Sequence, residues 1–171
     1  MEAKTMKRDV VSTLFLVAML MGLPAVARDN TCSNDDLEGD WGTTMTGTVI
    51  NPATGVAVSF AAVNRASYDS EGSYQGSQTR STNGTVSRFT FEGTYVLNPD
   101  CTGTKTTRSF DPSGNLANTV IQDFVLVNDA NELTEIMTSN VLANGTNVPV
   151  VITGNSKKLF THGKHKHSLD R

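Results

Sequence analysis

Phe89-Thr90-Phe91-Glu92-Gly93-Thr94-Tyr95-Val96-Leu97-Asn98-Pro99-Asp100-Cys101-Thr102-Gly103-Thr104 reads as a strand, a turn and the start of a second strand. Successive residues of a strand point to opposite faces, so Phe89, Phe91, Tyr95 and Leu97 share one face while Arg88, Thr90, Glu92 and Thr94 share the other. One face is apolar and the other wet. Asn98-Pro99-Asp100 supplies turn chemistry, Cys101 stands at the corner, and the chain returns from Thr102.

Moving outward from this stretch, the same pattern recurs. Turn-forming runs fall at Asn51-Pro52-Ala53-Thr54-Gly55, Asp69-Ser70-Glu71-Gly72, Ser81-Thr82-Asn83-Gly84, Asp111-Pro112-Ser113-Gly114-Asn115, Asn128-Asp129-Ala130-Asn131 and Asn144-Gly145. No window shows sustained apolar recurrence at helical spacing. With Asn98-Pro99-Asp100 these turns separate eight strands, expected near 40–50, 56–68, 73–80, 86–97, 102–110, 118–127, 132–140 and 148–160. Short hairpin connections favour an all-β, eight-stranded antiparallel up-and-down barrel, in which closure removes the exposed edges; a two-sheet β-sandwich is the alternative.

The first residues are set aside from the fold. Lys4, Lys7 and Arg8 precede an apolar run at 14–23, and Pro24-Ala25-Val26-Ala27 ends it with small residues, the pattern of a signal peptide (1–27) cleaved after Ala27. That run falls short of the ~20 residues of a membrane-spanning helix, and no transmembrane segment is expected in the mature chain. Removing three of 14 basic and two of 17 acidic residues leaves 11 against 15. A mildly acidic chain is a poor partner for phosphate backbones, so nucleic acid is not expected to bind. The expected domain covers 28–160, and 161–171 forms a basic tail carrying His162, His165 and His167. Secretion or export to a periplasm is the expected location, and an exported chain with two cysteines most simply joins Cys32 to Cys101.

Gly39-Asp40-Trp41 opens the first strand, and the segment around it resembles the Gly-x-Trp opening of lipocalins and other calycins, eight-stranded ligand-binding barrels. The wider pattern is similar to a group of small exported bacterial proteins of unassigned function. They share the Gly-x-aromatic start, a Gly-Thr-Tyr strand (Gly93-Thr94-Tyr95), the Asp100-Cys101-Thr102-Gly103-Thr104 turn and a strand like Asp123-Phe124-Val125-Leu126-Val127. The resemblance implies a barrel and no particular chemistry. Both Gly-x-aromatic triplets place a glycine where a neighbouring aromatic ring can lie close to the backbone.

The sequence carries few signs of chemistry. There is no Gly-x-Ser-x-Gly elbow, His-Glu-x-x-His pair, phosphate loop or dinucleotide fingerprint. No catalytic residue, metal site or cofactor is assigned; the tail histidines read as a solvated end rather than as ligands. Glu135 shares its parity with Leu133 and Met137, which would bury it as an acid or base, but Ile136 on the other parity leaves the inner face of that strand open. In the sixth strand either Gln122 or Asp123 points inward, and the cost of a buried unpaired charge favours Gln122 inside. Phe89, Phe91, Tyr95, Gln122 and Phe124 are therefore the candidate lumen residues. They either fill the barrel or orient a small apolar ligand. Apolar residues on both faces of several strands suggest a homodimer or homotrimer. The expected function is non-enzymatic binding of a small apolar ligand in the lumen. The alternatives are an isomerase or cyclase resembling allene oxide cyclase in architecture, and a surface or matrix interaction protein.

Overall fold

A computed structural model of the chain describes residues 31–159; the expected leader at 1–27 and the histidine-bearing tail at 161–171 lie outside the described residues. Eight antiparallel strands follow one another: β1 (Gly39–Ile50), β2 (Ala57–Tyr68), β3 (Ser73–Thr82), β4 (Thr85–Leu97), β5 (Thr102–Phe110), β6 (Leu116–Val127), β7 (Glu132–Leu142) and β8 (Val150–Lys158). Each pairs with the next, and β8 returns to β1 from Trp41↔Lys158 to Val49↔Val150. That last ladder closes the sheet into an up-and-down barrel and excludes the sandwich.

The turns work by the chemistry their residues carry. Asn83 and Gly84 join β3 to β4 with φ of 49° and 84°, the left-handed pair whose twist suits a two-residue hairpin. The Asp111 carboxylate accepts the backbone N–H groups of Ser113 and Asn115 at 2.8 and 2.9 Å and holds the β5–β6 turn.

One end of the barrel is sealed. A 3₁₀ turn, Asn34–Leu37, lies across it with Leu37 wholly buried. The Trp41 indole N–H donates to Leu37 O at 2.8 Å, and the Leu97 N–H donates to Asn34 Oδ1 at 3.0 Å. Cys32 and Cys101 form the expected disulfide, and the Cys32 N–H donates to Pro99 O at 3.1 Å, so the segment before β1 is fastened to the β4–β5 corner. Behind this plug Trp41, Tyr68, Tyr74, Tyr95, Leu97, Phe124 and Leu133 are packed into one cluster. Tyr68 and Tyr74 stack at 4.8 Å between centroids, with the Tyr95 ring edge-on to Tyr68 at 5.3 Å. Such pairs add about 0.5–1.5 kcal/mol each beyond area burial.

Gly93 makes this packing feasible. A Cβ there would lie 2.6 Å from the Tyr74 ring and 2.3 Å from Thr106 O, so the aromatic of β3 occupies the space that a side chain would take. Toward the other end Met45, Phe60, Ala62 and Ile152 form a second, smaller cluster. Outward-facing apolar residues are interleaved with polar ones: along one row across the sheet Val96 faces Thr104, Thr104 faces Asp123, Asp123 faces Ile136 and Ile136 faces Thr153.

Candidate functional site

β5 carries no apolar side chain before its last residue: Thr102-Gly103-Thr104-Lys105-Thr106-Thr107-Arg108-Ser109-Phe110. Whichever parity faces the lumen, polar groups go inside. Gly103 decides which. A Cβ on it would lie 2.3 Å from the Phe124 ring, so the glycine turns inward to admit that ring. Lys105, Thr107 and Ser109 follow it into the interior at two-residue spacing, and all three are buried. Arg108, on the outer parity, pairs with Glu92 at 3.2 Å in solvent.

The Lys105 ammonium forms an ion pair with Glu135 Oε2 across the lumen, with the two side chains 5% and 1% exposed. Glu135 fits because β8 has no side chain opposite it: a Cβ on Gly154 would sit 2.7 Å from Oε1. Further along β7 an extra residue, Thr138, breaks the register between Ile121↔Ser139 and Gln122↔Met137. The bulge switches the inward parity, so Leu133 and Glu135 face the core below it and Asn140 above it.

Lys105 Nζ also donates to the Tyr68 hydroxyl at 3.3 Å and lies 6.0 and 5.8 Å from the Tyr68 and Tyr74 ring centroids. The Tyr74 hydroxyl bonds Thr107 Oγ1, and Thr107 donates on to Gln122 Oε1 at 3.3 Å. Burial is the largest single influence on Lys105 and opposes its charge, but the facing Glu135 carboxylate together with the Tyr68 and Tyr74 hydroxyls outweighs it and holds the ammonium above its ordinary range, so the lysine is protonated and no nucleophile at neutral pH. Burial pushes both tyrosine hydroxyls up, and they keep their protons.

Above this polar floor the lumen is not filled. A cavity of about 390 Å³ reaches from Tyr68, Tyr74 and Lys105 to the rim at residues 50–52 and Val148. Met45, Phe60, Val120, Met137 and Ile152 make much of its wall. Asn118 donates to Asn140 Oδ1 at 2.8 Å within that wall, while Asn64 Oδ1, Asn118 Oδ1 and Glu135 Oε1 have no hydrogen-bond partner.

The expected lumen residues divide between two environments. Phe91 and Gln122 line the cavity, and Gln122 is buried with Asp123 exposed. Tyr95 and Phe124 are buried in the aromatic cluster of the sealed end. Phe89 is half-buried, with the Arg80 guanidinium 3.8 Å above its ring, and does not line the cavity. Lys105, Tyr68 and Tyr74 were not singled out in the sequence, although the all-polar β5 was a signal that one polar set had to be buried. Among the described residues no three His, Cys, Asp or Glu side chains come together as a metal site.

A closed eight-stranded antiparallel barrel with one sealed end and an open lumen is consistent with a calycin-like fold. No protein-family model matches the chain, and no curated protein matches it significantly.

Proposed function

We propose that the protein is an exported, non-enzymatic binding barrel that takes a small, largely apolar molecule into its lumen. The observation that carries this reading is the cavity of about 390 Å³, whose wall sets Met45, Phe60, Val120, Met137 and Ile152 beside polar groups such as Asn64 and the Asn118–Asn140 pair, over a polar floor. Its size falls in the range of small-molecule sites, about 300–1,000 Å³. The Cys32–Cys101 disulfide supports an oxidising compartment and hence export. Of the residues expected from the sequence, Phe91 and Gln122 are the ones positioned to touch such a ligand.

Native mass spectrometry of protein purified from its own source is expected to show a co-purifying small molecule. Val120→Trp, which would fill the cavity from β6, is expected to abolish its retention while leaving the fold intact. A wild-type protein that carries nothing and binds no apolar probe, with the filled variant indistinguishable from it, would sink the proposal.

One observation favours the isomerase or cyclase reading: a lumen carboxylate, Glu135, next to an apolar cavity. A general base must reach the proton it removes. Here Lys105, not Glu135, lines the cavity, and the carboxylate is engaged by the ammonium. Turnover of a bound ligand that Glu135→Gln removes without loss of binding would reverse this preference.

A further inference from the structure

We propose that the lumen floor recognises an uncharged oxygen acceptor, a ketone, aldehyde or ester carbonyl, at the inner end of the apolar ligand. This rests on the lumen-binding reading above and narrows it to a ligand class.

The hydrogen-bonding capacity of the floor is unbalanced. A lysine ammonium has three N–H groups; Glu135 Oε2 and the Tyr68 hydroxyl oxygen take two of Lys105's. Tyr68 accepts from Lys105, and among the described residues its own O–H has no acceptor. Gln122 uses its carbonyl oxygen to accept from Thr107, and its amide N–H groups have no acceptor among the described residues. Lys105, Tyr68 and Gln122 all line the cavity. Their spare hydrogens are donors; of the buried oxygens without a hydrogen-bond partner, Glu135 Oε1 does not line the cavity, and Asn64 Oδ1 and Asn118 Oδ1 belong to its wall. A donor-rich floor discriminates by what it leaves unpaired: an alkane strands the donors, and a hydroxyl, though it can accept from them, brings a donor of its own that must also be paired.

Charge narrows the class further. Glu135 already balances Lys105, and both side chains are almost wholly out of water. A ligand carboxylate at the floor would place a second negative charge against one ammonium in a desolvated chamber. The other cation lining the cavity, Arg80, is held over Phe89 close to the β3–β4 hairpin at the rim. A carbonyl takes two or three of the donors without upsetting the charge balance.

The test is a chemical-shift titration of isotopically labelled full-length protein at neutral pH with three probes of equal carbon number: hexane, butyl methyl ketone and hexanoate. The ketone is expected to bind about tenfold more tightly than either of the others, the worth of one to two net hydrogen bonds. In Gln122→Leu, and separately in Lys105→Met/Glu135→Leu, that preference over hexane is expected to fall several-fold. Hexane binding as tightly as the ketone, or hexanoate binding most tightly, overturns carbonyl recognition and leaves lumen binding standing. If none of the three probes moves the resonances of lumen residues, the binding reading fails and this inference fails with it.

Discussion

Lys105→Met keeps a long side chain on β5 but removes the only ion-pair partner that Glu135 has among the described residues. The carboxylate is 1% exposed, its Oε1 already lacks a hydrogen bond, and no other cation is paired with it among the described residues. Stranding a buried charge in this way costs about 3–5 kcal/mol. For a domain of this size that is a fall in Tm of roughly 10–20 °C. Glu135→Leu is expected to cost a similar amount, because it strands the ammonium instead. The double variant Lys105→Met/Glu135→Leu removes both charges and is expected to recover to within about 1 kcal/mol of wild type or to exceed it, since a desolvated pair seldom outperforms apolar packing. Urea unfolding followed by the fluorescence of Trp41, the single tryptophan and a buried one, reads all four proteins. Comparable m-values are needed before midpoints are compared. If each single variant loses less than about 1 kcal/mol, or the double variant loses the sum of the two, the charges are not coupled in the folded lumen and the floor described here is wrong.

Replacing Cys32 and Cys101 by serine opens a link between positions 69 apart and is expected to cost about 4 kcal/mol in urea unfolding, by restoring entropy to the unfolded chain. Gly93→Ala must displace either the Tyr74 ring or the β5 backbone at Thr106, and a loss of about 1–3 kcal/mol is expected by the same measurement; a neutral result would mean that the strands do not approach as described. Lys105 is raised above 10.5, so the stability it contributes is complete below that value and is lost only as the pH climbs through the higher value of the folded state. The urea midpoint of wild type should therefore show no pH dependence from Lys105 between about pH 7 and 10 and a decline above, and Lys105→Met/Glu135→Leu should lack that part of the alkaline decline.

The barrel was legible because its signals are local. Hairpin turns such as Asn83-Gly84 announce themselves by residue type, and the alternation from Phe89 to Leu97 needs no knowledge of neighbouring strands. The strand positions follow from those two signals, and the disulfide from the cysteine count. The seventh strand was ambiguous for a physical reason. Ile136 is an apolar residue left exposed on the outer face, so both parities of the strand carried apolar side chains and Glu135 could not be placed; beyond it the bulge at Thr138 changes the inward parity as well.

The floor of the lumen was hidden because its cause is non-local. In β5 both parities are polar, and the choice between Lys105 and Arg108 as the buried cation depends on a ring from β6 needing the space above Gly103. That lysine is admissible only because β7 supplies Glu135, which is admissible only because β8 offers Gly154. A glycine on β5, a carboxylate on β7 and a glycine on β8 therefore fix one buried charge among them, at a place where apolar side chains would have packed at no electrostatic cost. The same lumen is packed tightly with aromatics on one side of this pair and left open on the other. A chain under pressure only to fill its interior has no reason to stop packing at the level of a desolvated lysine. A floor whose spare hydrogen-bond donors face an unfilled chamber is the arrangement expected where the chamber takes a ligand.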